Sequence, residues 1–229
     1  MDYSYIDKNV CQALQLIEAA RKKAGLKEKV TMVAAVKYAD INEINHLCSI
    51  GVRDIGENRV QQLLEHYEGL EDKSVNIHFI GTLQTNKVKY IADKVCMIHS
   101  VDTLKIACEI DKQAKKVGRV IDVLVEINSG EEQNKSGVMP CDAEKLCVEI
   151  SKLENIKLRG FMTMAPKCVE KADYLKFFGQ TYAQVLDIWT KKLHNISSPI
   201  ISMGMSDSFE EAIACGADTV RIGRKLFVK

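Results

Sequence analysis

The strongest constraint on the fold is a regular alternation of short Val- and Ile-rich runs with segments of helical spacing. Each run is apolar and bounded by polar or turn residues, which is typical of a buried strand. The runs lie at 30–37, 52–56, 76–81, 95–100, 119–128, 156–164, 199–204 and 218–223. This pattern predicts parallel strands that are connected by helices.

The segments between the runs repeat their apolar residues at helical spacing. In 57–70 the apolar positions from Val60 to Tyr67 fall on one face, and 170–193 has the same character. A further helix at about residues 5–24 precedes the first strand. The sequence therefore predicts one helix more than a strict alternation needs.

Helix starts are marked by acidic residues. Asp40 with Glu43, and Asp207 with Glu210, have the D-x-x-E spacing of a capping box, in which each side chain bonds the backbone N–H of the other residue. Asp142 is a candidate cap for another helix. We expect helices to begin just after these three aspartates.

Eight strands, each followed by a helical segment, predict an α/β fold, a closed (β/α)8 TIM-type barrel with an additional N-terminal helix. An open doubly wound sheet uses the same alternation and remains the alternative. The chain has only three prolines and no low-complexity tract, which favours one domain over residues 1–229. The longest polar loop is expected at 128–137, after the fifth strand.

Composition excludes several classes of protein. The formal net charge is +1, from 32 basic and 31 acidic residues, so no strong field attracts nucleic acid. No apolar stretch is long enough to span a membrane. The start has no basic region followed by an apolar run, so we expect no secretory signal.

The eight cysteines are scattered and form no C-x-x-C pair. We interpret them as reduced, mostly buried thiols of a cytoplasmic protein. The His, Cys, Asp and Glu residues show no metal-ligand spacing, so no metal is expected. The glycines form neither a Walker nor a Rossmann pattern.

Lys37 is the first candidate for chemistry. Active sites of such barrels lie at the C-terminal ends of the strands, and Lys37 ends the first apolar run. Strand alternation places Val33, Ala35 and Lys37 on one face. If that face points inward, partial desolvation at the barrel mouth would favour the free amine that a Schiff base requires. The alternative is a lysine that extends into solvent.

Two segments near the C-terminus predict a phosphate site. Ser206 follows the seventh strand just before a helix, and Gly223 and Arg224 follow the eighth. Loops after strands seven and eight of a barrel commonly bind phosphate. A hydroxyl, free backbone N–H groups and a cation suit a phosphate dianion. An ordinary capped helix and a turn glycine would explain either segment alone.

Arg221 shares a strand face with Thr219 and Gly223, so it is expected to point into the barrel. A buried cation needs a partner. A pyridine nitrogen would serve, and the fixed cation would keep that nitrogen unprotonated. The alternative is an internal ion pair with Glu126 or Asp54.

Other polar residues near strand ends are weaker candidates. Asn58 could contact a ligand's ring oxygen or cap the helix that follows it. His78 and His99 lie in or beside apolar strands, where satisfied core histidines are more common than catalytic ones.

Taken together, these segments resemble the pyridoxal-phosphate homeostasis protein family, which is related to the N-terminal barrel of alanine racemases. The resemblance covers nearly the whole chain. It rests on VAAVK (33–37), DIGENRVQ (54–61), HFIGTLQTNK (78–87), HSVD (99–102), VEINSGEEQNKSG (125–137), LRGFMTM (158–164), SMGMSDSFEEAI (202–213) and VRIGRKLF (220–227).

The resemblance implies a bound pyridoxal 5′-phosphate. Lys37 would form the Schiff base, and Arg221 would face the pyridine nitrogen. The other cofactor-binding residues implied are Asn58, Met205, Ser206, Gly223 and Arg224, with Lys135 near the site. The family usually continues after the lysine with Thr, a basic residue and Pro, whereas Tyr38, Ala39 and Asp40 stand here.

Three functions remain open at this point. A carrier would store, protect or deliver pyridoxal phosphate, with apo enzymes that use this cofactor as candidate partners. A racemase of low activity would need a second base opposite Lys37, and Tyr38 is expected to point to the other strand face. A Schiff-base aldolase without cofactor would be colourless. A monomer is expected.

Overall fold

The computed structural model describes residues 2–132, 136–191 and 198–229. Eight parallel strands close into a barrel in chain order. They are β1 (Thr31–Ala35), β2 (Asp54–Glu57), β3 (Asn76–Phe79), β4 (Met97–Val101), β5 (Ile121–Ile127), β6 (Ile156–Thr163), β7 (Ile200–Met205) and β8 (Thr219–Ile222). Strand β8 pairs with β1, with Arg221 opposite Val33. This pairing confirms the closed barrel and rules out the open sheet.

Helices surround the barrel. They are α1 (Ser4–Lys23), α2 (Ile41–Ser49), α3 (Val60–Gly69), α4 (Leu104–Lys116), α5 (Pro140–Ile150), α6 (Lys171–Thr190) and α7 (Phe209–Ala214). After β3 and β8 the expected helices are shorter 3₁₀ segments, Thr85–Tyr90 and Arg224–Leu226. The alternation of strands and helical segments is therefore confirmed, and two of the helical segments are short 3₁₀ helices.

The additional helix α1 packs against α7 and the last 3₁₀ segment. Its Ile6, Val10 and Ile17 are buried in the main core. The Asn9 amide donates to the Leu226 and Val228 carbonyls, at 3.3 and 2.8 Å. Helix α1 thus covers the outside of the barrel near the β8–β1 junction.

One of the three predicted caps is present. Asp40 accepts from the Glu43 N–H at 2.9 Å while the Glu43 carboxylate accepts from the Asp40 N–H, so α2 begins with a full capping box. The predictions for Asp207 and Asp142 are wrong. Helix α7 begins at Phe209 after Ser208, which makes no side-chain capping bond, and Asp142 lies inside the first turn of α5.

The strands divide their side chains between two environments. Val220 and Ile222 of β8 belong to the large apolar core between barrel and helices, as alternation predicts. The barrel interior is partly polar, because His78, His99 and Arg221 are buried within it. A small apolar cluster of Met97, Leu124 and Met162 forms a separate core. The inward position expected for Arg221 is confirmed.

All eight cysteines are free thiols. Only Cys48 and Cys147 are buried, and Cys11, Cys108 and Cys141 are exposed, so the expectation of mostly buried thiols is wrong. Within the described residues, no cluster of three or more His, Cys, Asp or Glu side chains suits a metal ion. In the same residues, no helix combines the length and apolar character needed to cross a membrane.

Candidate functional site

A cavity of about 750 Å³ opens at the C-terminal end of the barrel. Its walls come from segments that follow several strands, and they include Lys37, Tyr38, Asn58, Ile80, Glu126 and Met164. Lys37 and Asn58 therefore meet in one cavity, although they follow different strands. Its position is the one expected for the active site of a barrel.

Lys37 lies in a turn rather than in the strand. Strand β1 ends at Ala35, the Ala39 N–H donates to the Val36 carbonyl at 2.9 Å, and the Lys37 side chain is exposed. The Gln62 amide donates to the Lys37 carbonyl at 3.0 Å and ties this turn to α3. The desolvation expected for Lys37 is wrong, because the strand alternation ends before the lysine. Its amine is open to solvent and to ligands.

Tyr38 stands beside Lys37 instead of on the opposite face. The Lys37 Nζ lies 5.0 Å from the centre of the Tyr38 ring, and the Arg224 guanidinium carbon lies 6.0 Å from it. The positive charge of Lys37 and a hydrogen bond from Arg224 lower the pKa of the Tyr38 phenol. The prediction that Tyr38 points away from the site is therefore wrong.

The residues predicted to bind phosphate lie next to this cavity, at the ends of β7 and β8. The Gly223 N–H donates to the Ser206 hydroxyl at 3.3 Å. Arg224 begins the last 3₁₀ segment and is exposed, and Met205 is 41% exposed. A Cβ atom on Gly223 would lie 3.2 Å from the Ala35 carbonyl oxygen, so this glycine lets β8 approach β1 closely.

Arg221 is held inside the barrel by three hydrogen bonds. Its Nη1 donates to the carbonyl and to the hydroxyl of Ser202, at 2.8 and 2.7 Å. Its Nη2 donates to the Thr163 carbonyl at 2.8 Å. Burial lowers the pKa of Arg221 to about 10, against the opposing attraction of Glu126. Arg221 therefore contacts neutral oxygens, and Asp54 bonds His78 instead.

Glu126 is a cavity residue that sequence reasoning considered only as an ion-pair partner. It is 3% exposed on β5. Burial raises its pKa to about 7, repulsion from Asp102 adds to the rise, and Arg221 opposes it. A carboxyl group that changes charge near neutral pH thus faces the same cavity as Lys37. The available signal was a carboxylate in the apolar stretch 123–127, near the C-terminal end of β5.

Asn58 presents an unused acceptor to the cavity. Its Oδ1 is buried and has no hydrogen-bond partner among the described residues. Helix α3 begins at Val60 after Arg59, without a side-chain capping bond, so Asn58 does not cap it. Gly81 touches the Asn58 backbone so closely that a Cβ atom there would overlap the Asn58 carbonyl. The Asn58 backbone is therefore held against Gly81, while its side chain lines the cavity with an unpaired Oδ1.

The remaining residues named from the sequence are Lys135, His78 and His99. Lys135 lies outside the described residues. His78 and His99 are buried and hydrogen-bonded to each other at 2.9 Å, as expected for satisfied core histidines.

Comparison with known proteins agrees with this geometry. The family model for the alanine racemase N-terminal domain matches residues 12–228. A pyridoxal phosphate homeostasis protein of Aquifex aeolicus is 40% identical over 224 residues, covering 96% of this chain and 97% of that protein. One of Helicobacter pylori is 37% identical over 215 residues, with 92% and 93% covered.

Among solved structures, PipY of Synechococcus elongatus with PLP bound superposes with a TM-score of 0.82 at 27% identity, covering 94% of this chain and 99% of that chain. The chain belongs to the alanine racemase N-terminal domain family and, within it, to the pyridoxal phosphate homeostasis proteins. The family resemblance read from the sequence motifs is confirmed.

Proposed function

We propose that this chain binds pyridoxal 5′-phosphate through Lys37 and serves vitamin B6 homeostasis by storing, protecting or delivering it. The observation that carries the proposal is that an exposed primary amine, Lys37, and the Arg224 guanidinium approach the same Tyr38 ring, at 5.0 and 6.0 Å from its centre. Arg224 directly follows Gly223, whose N–H donates to the Ser206 hydroxyl. The names of the relatives and the ligand of PipY support the same cofactor.

The cofactor supplies an aldehyde that condenses with a primary amine and releases water. Lys37 provides the amine, and its exposure lets water and the aldehyde reach it. The Lys37 ammonium must first lose a proton, and Glu126 in the same cavity is a carboxyl group able to accept one above about pH 7.

The phosphate would be held by Ser206, Gly223 and Arg224. The Gly223 N–H and the Ser206 hydroxyl bond each other here, and both are groups that a phosphate oxygen can engage. Arg224 is exposed and contributes a cation, and Met205 would line this side. Asn58 would bond a polar group of the ring, which agrees with its unpartnered Oδ1.

Arg221 would face the ring nitrogen. Its three hydrogen bonds use both hydrogens of Nη1 and one of Nη2. The Nε–H and the other Nη2 hydrogen have no partner in the described parts of the chain. A cation at this position disfavours protonation of a pyridine nitrogen, and an unprotonated ring is a weaker electron sink. This argues for holding the cofactor rather than for racemisation.

The proposal extends to the oligomeric state, the compartment and the partners of the protein. We expect the chain to act as one domain over residues 1–229, as a monomer in the cytoplasm, with apo enzymes that require pyridoxal phosphate as recipients. The eight free cysteines agree with a reducing compartment. The net charge of +1 agrees with a partner other than nucleic acid.

The test is an absorbance scan of the purified protein with added pyridoxal phosphate, followed by borohydride reduction and peptide mapping. We expect a visible imine band and a reduced phosphopyridoxyl adduct on Lys37. Lys37→Arg should lose both. Lys89→Arg is the matched control, because Lys89 lies 4.9 Å from the centre of the Tyr90 ring, much as Lys37 lies over Tyr38.

A colourless protein that takes up no pyridoxal phosphate would refute the proposal and favour a cofactor-free aldolase. A chiral amino-acid assay completes the test, and we expect little turnover. Turnover at ordinary enzyme rates, about 1–10³ s⁻¹, would show a racemase instead of a carrier.

A further inference from the structure

A chain of hydrogen-bonded side chains crosses the inside of the barrel and ends at Arg221. The Asp54 carboxylate lies 3.0 Å from Nε2 of His78. The Nδ1 of His78 lies 2.9 Å from Nε2 of His99. The Nδ1 of His99 lies 3.1 Å from the hydroxyl of Ser202, which accepts from Arg221 at 2.7 Å. Side chains from five different strands thus form one continuous relay.

One assignment of donors and acceptors, the donor order, gives every hydrogen bond of the relay a donor and an acceptor while both histidines are neutral. The carboxylate at Asp54 only accepts, so Nε2 of His78 carries the hydrogen and Nδ1 accepts. His99 then donates from Nε2 and accepts on Nδ1, and the Ser202 hydroxyl donates to it. The two tautomers follow from the hydrogen-bond network. The order leaves the Ser202 oxygen lone pairs directed to Arg221.

The pKa directions of His99 and Asp54 support this donor order. His99 is 1% exposed, and burial, with additional repulsion from the Arg221 cation, holds its pKa well below the usual range. The hydrogen bond from His78 lowers the pKa of Asp54, although burial opposes it. A neutral His99 and an ionised Asp54 are the states that the donor order requires.

The relay reaches a second cavity at the opposite mouth of the barrel. This cavity has a volume of about 280 Å³ and is lined by Asp54, His78, Asn76 and Thr219, which stand near the N-terminal ends of their strands. Arg221 stands at the other end of the relay, on the side of the proposed cofactor. The hydrogen bonds that position the guanidinium therefore lead to a second cavity, whose lining does not include Lys37.

We propose that Ser202 and His99 are positioning residues that hold Arg221 so that its two unpartnered N–H groups face the ring nitrogen of the bound cofactor. This inference rests on the proposed function. Ser202 fixes Nη1 through two oxygens, and His99 fixes the Ser202 hydroxyl. Without the hydroxyl, Arg221 keeps only carbonyl partners and gains rotational freedom.

The barrel offers a matched pair of serines for the test. Ser202 is fully buried and belongs to the relay, whereas Ser100 is 3% exposed, follows His99 directly, and has an Oγ with no partner in the described residues. We expect Ser202→Ala to weaken pyridoxal phosphate binding about tenfold to a hundredfold, as loss of a hydrogen bond to a charged group predicts. Ser100→Ala should bind as the wild type does.

A spectroscopic readout separates positioning from simple destabilisation. The titratable groups facing Arg221 are Glu126 and His99, with His78 behind it. Ser202→Ala leaves all three in place. Absorbance titration of the loaded protein should show the ring nitrogen protonating about one pH unit higher in Ser202→Ala, because the cation is less well fixed. Ser100→Ala should leave this titration unchanged.

Two further measurements keep the test decisive if Ser202→Ala does not fold. A Gln side chain can donate one hydrogen bond and accept another, as His99 does in the relay. His99→Gln should therefore bind pyridoxal phosphate more tightly than His99→Leu. Nitrogen NMR of the cofactor-free wild type should show His99 and His78 both protonated at Nε2, and the chain has only five histidines to assign.

The outcomes are distinguishable. Wild type that takes up no cofactor contradicts the proposed function itself. Wild type that binds, with Ser202→Ala equal to Ser100→Ala in affinity and titration, overturns the positioning role alone. So does a His99 ring protonated at Nδ1, because the donor order would then be reversed.

Discussion

Tyr38 and Arg224 meet across the junction of the first and last strands, with the guanidinium carbon 6.0 Å from the ring centre. Lys37 approaches the same ring at 5.0 Å. One aromatic side chain therefore contacts both the amine and a cation proposed to hold the cofactor.

The first prediction concerns the Tyr38 phenol. Lys37 is the largest cause of its lowered pKa, so Lys37→Met should raise that pKa towards its ordinary value. Tyr38 is 58% exposed, so solvent reaches its phenol. Ultraviolet difference titration of the cofactor-free protein, with Tyr38→Phe subtracted to remove the other six tyrosines, measures it.

Lys89→Met is the control for this titration, since Lys89 contacts Tyr90 rather than Tyr38. It should leave the Tyr38 phenol unchanged. A Tyr38 titration identical in wild type and Lys37→Met would show that the two side chains do not interact in solution.

The second prediction is a pH dependence of stability caused by Glu126. Its folded pKa of about 7 lies above its ordinary value of 4.5, so the folded state binds more protons between these values. The free energy of unfolding therefore falls as pH rises through this window, by up to about 3 kcal/mol. Glu126→Gln stays neutral, so its stability relative to wild type should grow as pH rises.

Urea unfolding of both proteins at about pH 5 and pH 8 measures this difference. Exposed Glu68→Gln serves as the control and should not change the slope. A constant gap between Glu126→Gln and wild type across this range would mean that Glu126 is already ionised at low pH.

The third prediction concerns the contact that fixes Asn58. Gly81→Ala places a methyl group against the Asn58 carbonyl, so we expect a loss of stability of about 1–3 kcal/mol and weaker cofactor binding. Gly179→Ala is the matched change, because Gly179 lies in α6 with nothing within 4 Å. It should stabilise the protein by about 0.5–1 kcal/mol. Chemical denaturation and a pyridoxal phosphate titration of both variants check this.

The fourth prediction compares two aspartates with the same sequence motif. Asp40→Ala removes the capping box of α2 and should cost about 1 kcal/mol. Asp207→Ala removes only an exposed ion pair with Lys225 at 3.4 Å, so its effect should stay within about 0.5 kcal/mol. Equal losses in thermal or urea unfolding would contradict the assignment of a single capping box.

The barrel could be predicted because its signals are local. Each strand carries a short apolar run, and the turn chemistry that separates strands is visible in the residues themselves. The inward position of Arg221 follows from the same two-residue period. The same period gave the wrong direction for the Tyr38 side chain, because β1 ends at Ala35 and Tyr38 lies in the turn that follows. The period of a strand says nothing about a side chain beyond its end.

Other features depend on contacts between distant residues. The relay joins His78, His99 and Ser202 from three strands, and no single segment shows that they meet. Asp207 has the same motif as Asp40, but the Ser208 hydroxyl accepts from the Met205 N–H and the helix starts later.

The pairing of β8 with β1 has a consequence for synthesis of the protein. Lys37 follows the first strand and Arg224 follows the last, so they become neighbours only when the ring of strands closes. A nascent chain whose last strand is still in the ribosome cannot bring the Lys37 amine and the Arg224 guanidinium together. If Lys37 and Arg224 hold the cofactor as proposed, only a finished barrel would capture the reactive aldehyde, and the bound ligand would then bridge the seam and resist its opening.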